Sequence, residues 1–217
     1  NLNVLNSSLI RQTITYTITP KVLGGLACAG PSVVVVISID PVPVVSSAAT
    51  KSICSGVSVN YVPTAAVAGT VFNWTSSVTV GTVTGNTAVG GLGTIADVLV
   101  NTTNVIGTVR YVITPVANGC SGTPFNVDVT VDPQPTLSTV VTPLSQVLCS
   151  NTAMVIDVNS ATVPSAGSVV YDYVAVASDV SVTGFTASAI NQSLATNISN
   201  LNVLNSSLIR QTITYTI

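Results

Sequence analysis

Four cysteines, Cys28, Cys54, Cys120 and Cys149, are the residues of this chain best suited to covalent chemistry. Thiols either pair as disulfides or gather on zinc, and cysteine-built zinc sites use short C-x-x-C spacings. No such spacing occurs here, so disulfides are expected, and with them an oxidising compartment. There is no histidine, and all seven acidic residues are aspartate. General acid–base catalysis, Ser-His triads and most zinc sites therefore lack their usual residues. We expect neither an enzyme nor a cofactor.

Asp40 and Asp132 each precede a Pro-x-Pro step. As hard oxygen donors they are weak calcium candidates, but Ca²⁺ takes about 6–8 oxygens and little other acid lies near either one apart from Asp128. The favoured reading is an aspartate that hydrogen-bonds the turn before proline. Trp74 is the single tryptophan. On a strand of this kind it reads as a core residue rather than a sugar-stacking platform, and Tyr16 and Tyr111 read as core on the same pattern. Several N-x-S/T matches, among them Asn6, Asn73, Asn101, Asn191 and Asn197, read as chance in a chain rich in Asn and Thr.

The elements that position these residues are repeated. Asn1 to Ile18 and Asn200 to Ile217 are the same eighteen letters, 199 residues apart. The economical expectation is a window on a tandem array with that period. A weaker half-period repeat pairs TITYTITP at Thr13 with TVRYVITP at Thr108, so that Tyr16 matches Tyr111 and Pro20 matches Pro115. Alternate residues are apolar in both, the pattern of a strand with one buried face. A Gly and Cys turn follows at Cys28 and at Cys120, then a second alternating strand (Val35, Ile37, Ile39 and Val127, Val129, Val131). Both end in Asp-Pro-x-Pro, a stiff extended spacer. The expected boundaries are 1–43, the end of a sandwich begun in the preceding repeat; 44–135, a complete one; and 136–217, the front of one that the next repeat completes. About seven short strands per module, split by turn residues, predict an all-β fold of Greek-key, immunoglobulin-like sandwiches.

Within the complete module Cys54 opens the first strands and Cys120 sits in the last turn. Pairing them would close a loop of about 67 residues, worth ~4 kcal/mol on loop-closure grounds. By the same logic Cys28 and Cys149 pair with adjacent repeats. Val34 and Val36 lie opposite the core set on their strand, an edge that either risks pairing with another chain or is covered by a neighbour.

Only 6 % of residues are charged and the net charge is −2. A nucleic-acid partner needs a basic face, which five Lys and Arg do not supply. The longest apolar runs, such as Val33 to Ile37, fall far short of the ~20 residues of a spanning helix, so no membrane insertion is expected. Asn1 is not a start residue and no leader precedes it, so export rests on other features.

Tyr111-Val-Ile-Thr-Pro115, Cys120-Ser-Gly-Thr-Pro124, Asp132-Pro-Gln-Pro135 and Phe72-Asn-Trp74 together resemble the PKD-like immunoglobulin-type repeats of very large Bacteroidota surface proteins, the SprB-like gliding-motility adhesins of flavobacteria among them. The likeness is strong over 44–135. It is weaker over 136–217, where Tyr171 and Tyr173 stand on the strand comparable to that of Trp74, and Cys28-Ala-Gly-Pro31 is a residue short in the turn. The resemblance implies type IX secretion, display on the outer membrane, and adhesion or gliding. The expected partners are neighbouring copies of the repeat, surface polysaccharide or a substratum, and lateral filament partners. Two other functions compete: a carbohydrate-binding accessory module of a secreted enzyme, and a self-assembling subunit that donates the duplicated strand to another molecule.

Overall fold

The computed structural model describes residues 3–25, 28–138 and 145–217, with Leu201 by its backbone alone. β-branched residues in alternation favour extended chain, and the described residues form seventeen strands with no helix. They fall into three bodies.

The first body is a hairpin of β1 (Gln12–Ile18) and β2 (Val33–Ile39), antiparallel from Gln12↔Ile39 to Ile18↔Val33. Among the described residues no second sheet covers it, and both faces meet solvent. Tyr16 is 49 % exposed, which corrects its reading as a core residue: the alternation is present, but nothing packs on it. Val34 and Val36 are exposed as well.

The second body contains β3 (Thr50–Cys54), β4 (Val57–Ser58), β5 (Val71–Val80), β6 (Val83–Thr84), β7 (Gly91–Leu92), β8 (Val98–Asn101), β9 (Gly107–Ala117), β10 (Cys120–Ser121) and β11 (Phe125–Asp132). They form two sheets, one in the order β3-β11-β9-β5-β7 with β10 on β9, the other β4-β8-β6. Nine strands stand where about seven were expected, because four of them are two-residue ladders. β3 and β11 pair in parallel, so the start and the end of this body lie side by side in one sheet. β9 is central, and its alternate residues from Gly107 to Ala117 are buried. Val109, Tyr111 and Ile113 meet Val127, Val129 and Val131 of β11 and Val59, Ile95 and Leu99 of the other layer.

Trp74 is 6 % exposed and lies edge-on to Tyr111, ring centroids 5.4 Å apart at 72°, a favourable aromatic arrangement. Gly91 sits flat on the indole, where a Cβ would fall 2.1 Å from Cε2. The indole N–H is buried without an acceptor, so Trp74 contributes here through apolar packing.

The third body contains β12 (Thr152–Ile156), β13 (Val170–Ala177), β14 (Val182–Thr183), β15 (Ser188–Ser193), β16 (Ile198–Asn205) and β17 (Ile213–Thr216). Its sheets are β12-β16-β14 and β15-β13-β17, closed on Met154, Ile156, Val158, Tyr171, Tyr173 and Ile198.

The three bodies use one pairing scheme. β9 has partners on both edges: Tyr111 faces Val127 of β11 and Ser76 of β5. β1 makes the first of these pairings, Tyr16 opposite Val35. β17, identical in sequence to Ile14–Thr17 of β1, makes the second, Tyr215 opposite Ala175 of β13. Along the same register Tyr173 occupies the place of Trp74, and its ring lies tilted at 48° to that of Tyr215, centroids 5.9 Å apart.

Candidate functional site at the joints between bodies

The residues singled out by the sequence gather where one body hands over to the next. At the first joint Arg11 holds the Asp40 carboxylate through both oxygens, Nε to Oδ1 and Nη2 to Oδ2, each at 2.9 Å. That pair sets Asp40 below the usual carboxylate range, chiefly through the hydrogen bond. Asn118, from the β9–β10 turn of the second body, adds a hydrogen bond to Asp40 Oδ1 at 3.3 Å. Pro41 and Pro43 are both buried. Gly122 closes the turn with its N–H on Pro115 O at 2.8 Å, and it lies so near the spacer that a Cβ would stand 2.0 Å from Pro43 O. The Pro-x-Pro step is therefore packed onto the incoming turn.

Gly122→Ala puts a methyl group into backbone that cannot yield. A loss of about 1–3 kcal/mol is expected, the range for overpacking, together with faster proteolysis around Val42 and Val44. Urea unfolding and limited digestion of the full chain measure both.

At the second joint the Asp132 carboxylate accepts from Ser165 N at 2.6 Å and Ser165 Oγ at 2.8 Å, and Val163 N donates to Asn104 O at 2.7 Å. Pro133 is buried, but Pro135 is exposed where its counterpart Pro43 is covered. Both aspartates thus serve as acceptors for protein donors. At Asp40 the guanidinium already fills the position a cation would take. Among the described residues no three His, Cys, Asp or Glu side chains are grouped for a metal.

The cysteines require a correction. All four are free thiols, and the register separates the pair expected within one module. Cys54 lies opposite Asp132, one step beyond the level of Gly107, whereas Cys120 lies opposite Ala117. The ten strand steps between Gly107 and Ala117 span roughly 33 Å, against the 4.4–6.8 Å between Cα atoms that a disulfide allows. Sequence order put the two cysteines at the two ends of a domain. The parallel β3–β11 pairing put them at opposite ends of one sheet.

Three asparagines to which the sequence assigned no structural role, Asn6, Asn101 and Asn205, carry a repeated device. Asn101 Oδ1 accepts from Thr103 N and Oγ1, and its Nδ2 donates to Val105 O and to Val131 O of β11 at 2.9 Å. Asn6 does the same with Ser8, Ile10 O and Ile39 O of β2. Asn205 repeats the local part, with Ser207 and Ile209 O. Asn6 and Asn101, noted in the sequence only as N-x-S/T matches, are structural ties between a loop and the final strand. Their spacing of 95 residues, the same as from Tyr16 to Tyr111, was the available signal. A second tie joins the sheets: Tyr111 donates to Asp97 Oδ2 at 2.8 Å, and Asp97 also accepts from Thr87. Tyr215, Asn200 and Thr186 rebuild it in the third body.

Asn205 borders an open groove of about 1160 Å³, together with Leu148, Met154, Ile156, Val203 and Tyr215. The free edge of β17 forms one wall.

Residues 51–135 match the PKD-like domain family. No curated protein and no solved structure gives a match. The match covers the second body, whose two all-β sheets agree with a PKD-like sandwich.

Proposed function

We propose that the chain is a stretch of a tandem array of immunoglobulin-like sandwiches forming a stiff filament on a cell exterior, where it supplies reach and attachment in adhesion or gliding. One observation carries this reading: the same duplicated segment uses one edge at β1 and the other at β17, the two pairings that β9 makes at once. When copies follow one another along the chain, a single strand of that sequence has both partners and every body becomes a sandwich of the second kind. The groove beside Asn205 then receives a strand like β2, whose last carbonyl Asn205 is placed to bind as Asn6 binds Ile39 O.

The function is mechanical and has no catalytic step. Packed prolines and the Asn118–Asp40 hydrogen bond across the joint limit bending, and a surface of Thr, Ser and Asn lets neighbouring filaments lie close. The partners are further copies of the repeat, and beyond them a surface polysaccharide or substratum. Type IX export and outer-membrane attachment complete the reading, and the PKD-like match supports its extracellular character. A carbohydrate-binding role loses its main residue, since Trp74 is buried. Strand exchange between molecules remains the competing assembly, because the free edge of β17 accepts the same strand from another copy.

Two measurements test the proposal. An antibody against residues 44–135 should label intact cells; labelling that requires lysis overturns the location. Chains of several periods should appear under the electron microscope as rods that lengthen by roughly 70–80 Å per period, taking each module as the ~36 Å span of an eleven-residue strand. Randomly bent coils would remove the stiff filament.

A further inference from the structure

We infer that the cysteines pair across the joints, one disulfide to each: Cys54 with the copy of Cys28 in the following module, and Cys120 with the copy of Cys149 in the preceding one. This rests on the tandem-array reading above and adds a covalent link to it.

Each module carries one cysteine at either end. β3 runs parallel to β11, so Cys54 and Asp132 finish side by side at the outgoing end, with Ser55 N on Asp132 O at 2.9 Å. Cys120 opens β10, directly after the β9–β10 turn, at the incoming end. Two residues before it, Asn118 reaches across the joint to Asp40. Two residues after it, Gly122 lies against the spacer, where a Cβ would stand 2.0 Å from Pro43 O, so the thiol sits at the joint.

Asp40 is the counterpart of Asp132, since both close the final strand before Pro-x-Pro. The residue beside Asp132 is Cys54, in SICSG, and its counterpart in the alternate module is Cys149, in VLCSN. In an array the copy of Cys149 therefore stands one strand spacing, about 4.8 Å, from Asp40, on the joint that Cys120 faces. The other joint has the same construction. Cys28 lies in the β1–β2 turn, where Gly30 N on Pro20 O at 2.9 Å repeats Gly122 N on Pro115 O at 2.8 Å. A copy of that turn after Ile217 brings Cys28 to the end where Cys54 waits.

Three of the four thiols are exposed and Cys120 is half-buried, so a soluble oxidant reaches them. The oxidant is a small or protein disulfide. One thiolate attacks it, the partner thiol displaces the mixed disulfide, and the two electrons and two protons leave with the oxidant as two thiols. Load on the filament then passes from module to module through a covalent bond as well as through the spacer.

The test uses the chain continued by one period, residues 1–217 followed by residues 19–217, oxidised with glutathione disulfide and digested without reduction. The expected peptides are Cys28 linked to Cys54 and Cys120 linked to Cys149, each lighter by two hydrogens than its separate parts. Cys54→Ser should abolish the first link and keep the second. A Cys54–Cys120 link, or thiols that all remain alkylatable after oxidation, overturns the inference. Hydrogen exchange at Ile213–Thr216 separates the two readings: slowed exchange without links leaves the array standing and the disulfides gone, while unchanged exchange removes both.

Discussion

A chain continued past Ile217 by a second copy of residues 19–43 is expected to unfold its third body with a stability higher on the order of 3 kcal/mol, a hundredfold or more in the folded ratio. The strand that would fill the groove is that of β2, with Val35, Ile37 and Ile39 facing inward as Val127, Val129 and Val131 do in the second body. Burying each of these contributes roughly 1.5–3 kcal/mol. Ordering the added residues offsets much of that, at about 1–2 kcal/mol each before their ladder hydrogen bonds are counted. The register is set in advance. Tyr215 should face the copy of Val35 as Tyr16 faces Val35, and Asn205 should gain the carbonyl that Asn6 already has at 2.7 Å. Amide exchange across Ile213–Thr216 should slow by on the order of a hundredfold. A shuffled extension of the same composition breaks the alternation and should give no gain. Equal exchange with native and shuffled extensions would mean that the groove is not a strand site.

Tyr111→Ala should cost about 3–5 kcal/mol, the range for removing a large buried ring, enough to unfold the second body while the third keeps its own core. Tyr111 is fully buried, packs on Trp74 and donates to Asp97. Burial, then the hydrogen bond to Asp97 and the charge of that carboxylate, hold its phenol neutral well above the ordinary tyrosine range. The unfolded chain ionises near pH 10. This contribution is therefore complete below about pH 10 and is lost as pH rises above it, by up to about 1.4 kcal/mol per pH unit. Tyr111→Phe keeps the ring and removes the titration, so its stability should start lower, by about 1.5–3 kcal/mol for a hydrogen bond to a charged group. Its alkaline slope should be flatter. Urea midpoints at pH 7, 10 and 11 measure both effects, and parallel slopes for the two proteins would show that another group governs the alkaline limit.

The all-β reading was available from alternation alone, because period-2 burial marks one covered face whatever lies on it. Trp74 was legible as core as the lone tryptophan of a strand pattern; the family resemblance set Tyr171 and Tyr173 on the comparable strand, and only the register narrowed that to Tyr173. The inter-sheet tie of Tyr111 to Asp97 was hidden, because its members come from different layers and no spacing along the chain encodes a contact across a sandwich. The Asn101 tie was in plain view as a repeated N-x-S/T, but its second half, the carbonyl of Val131, lies on a distant strand.

The cysteines show the division most clearly. Their types, their even number and their places near the two ends of a module follow from the sequence. Which of them can meet does not, because a parallel pairing of β3 with β11 sends the first strand to the far end of the sheet from the β9–β10 turn. The eighteen duplicated residues teach the same lesson. Their sequence determined that they would be strand, with Ile, Tyr and Ile on one face. Whether Tyr16 stays in solvent or Tyr215 packs on Tyr173 was decided by which edge found a partner. A strand has two equal hydrogen-bonding edges, and only the tertiary structure supplies what pairs with each.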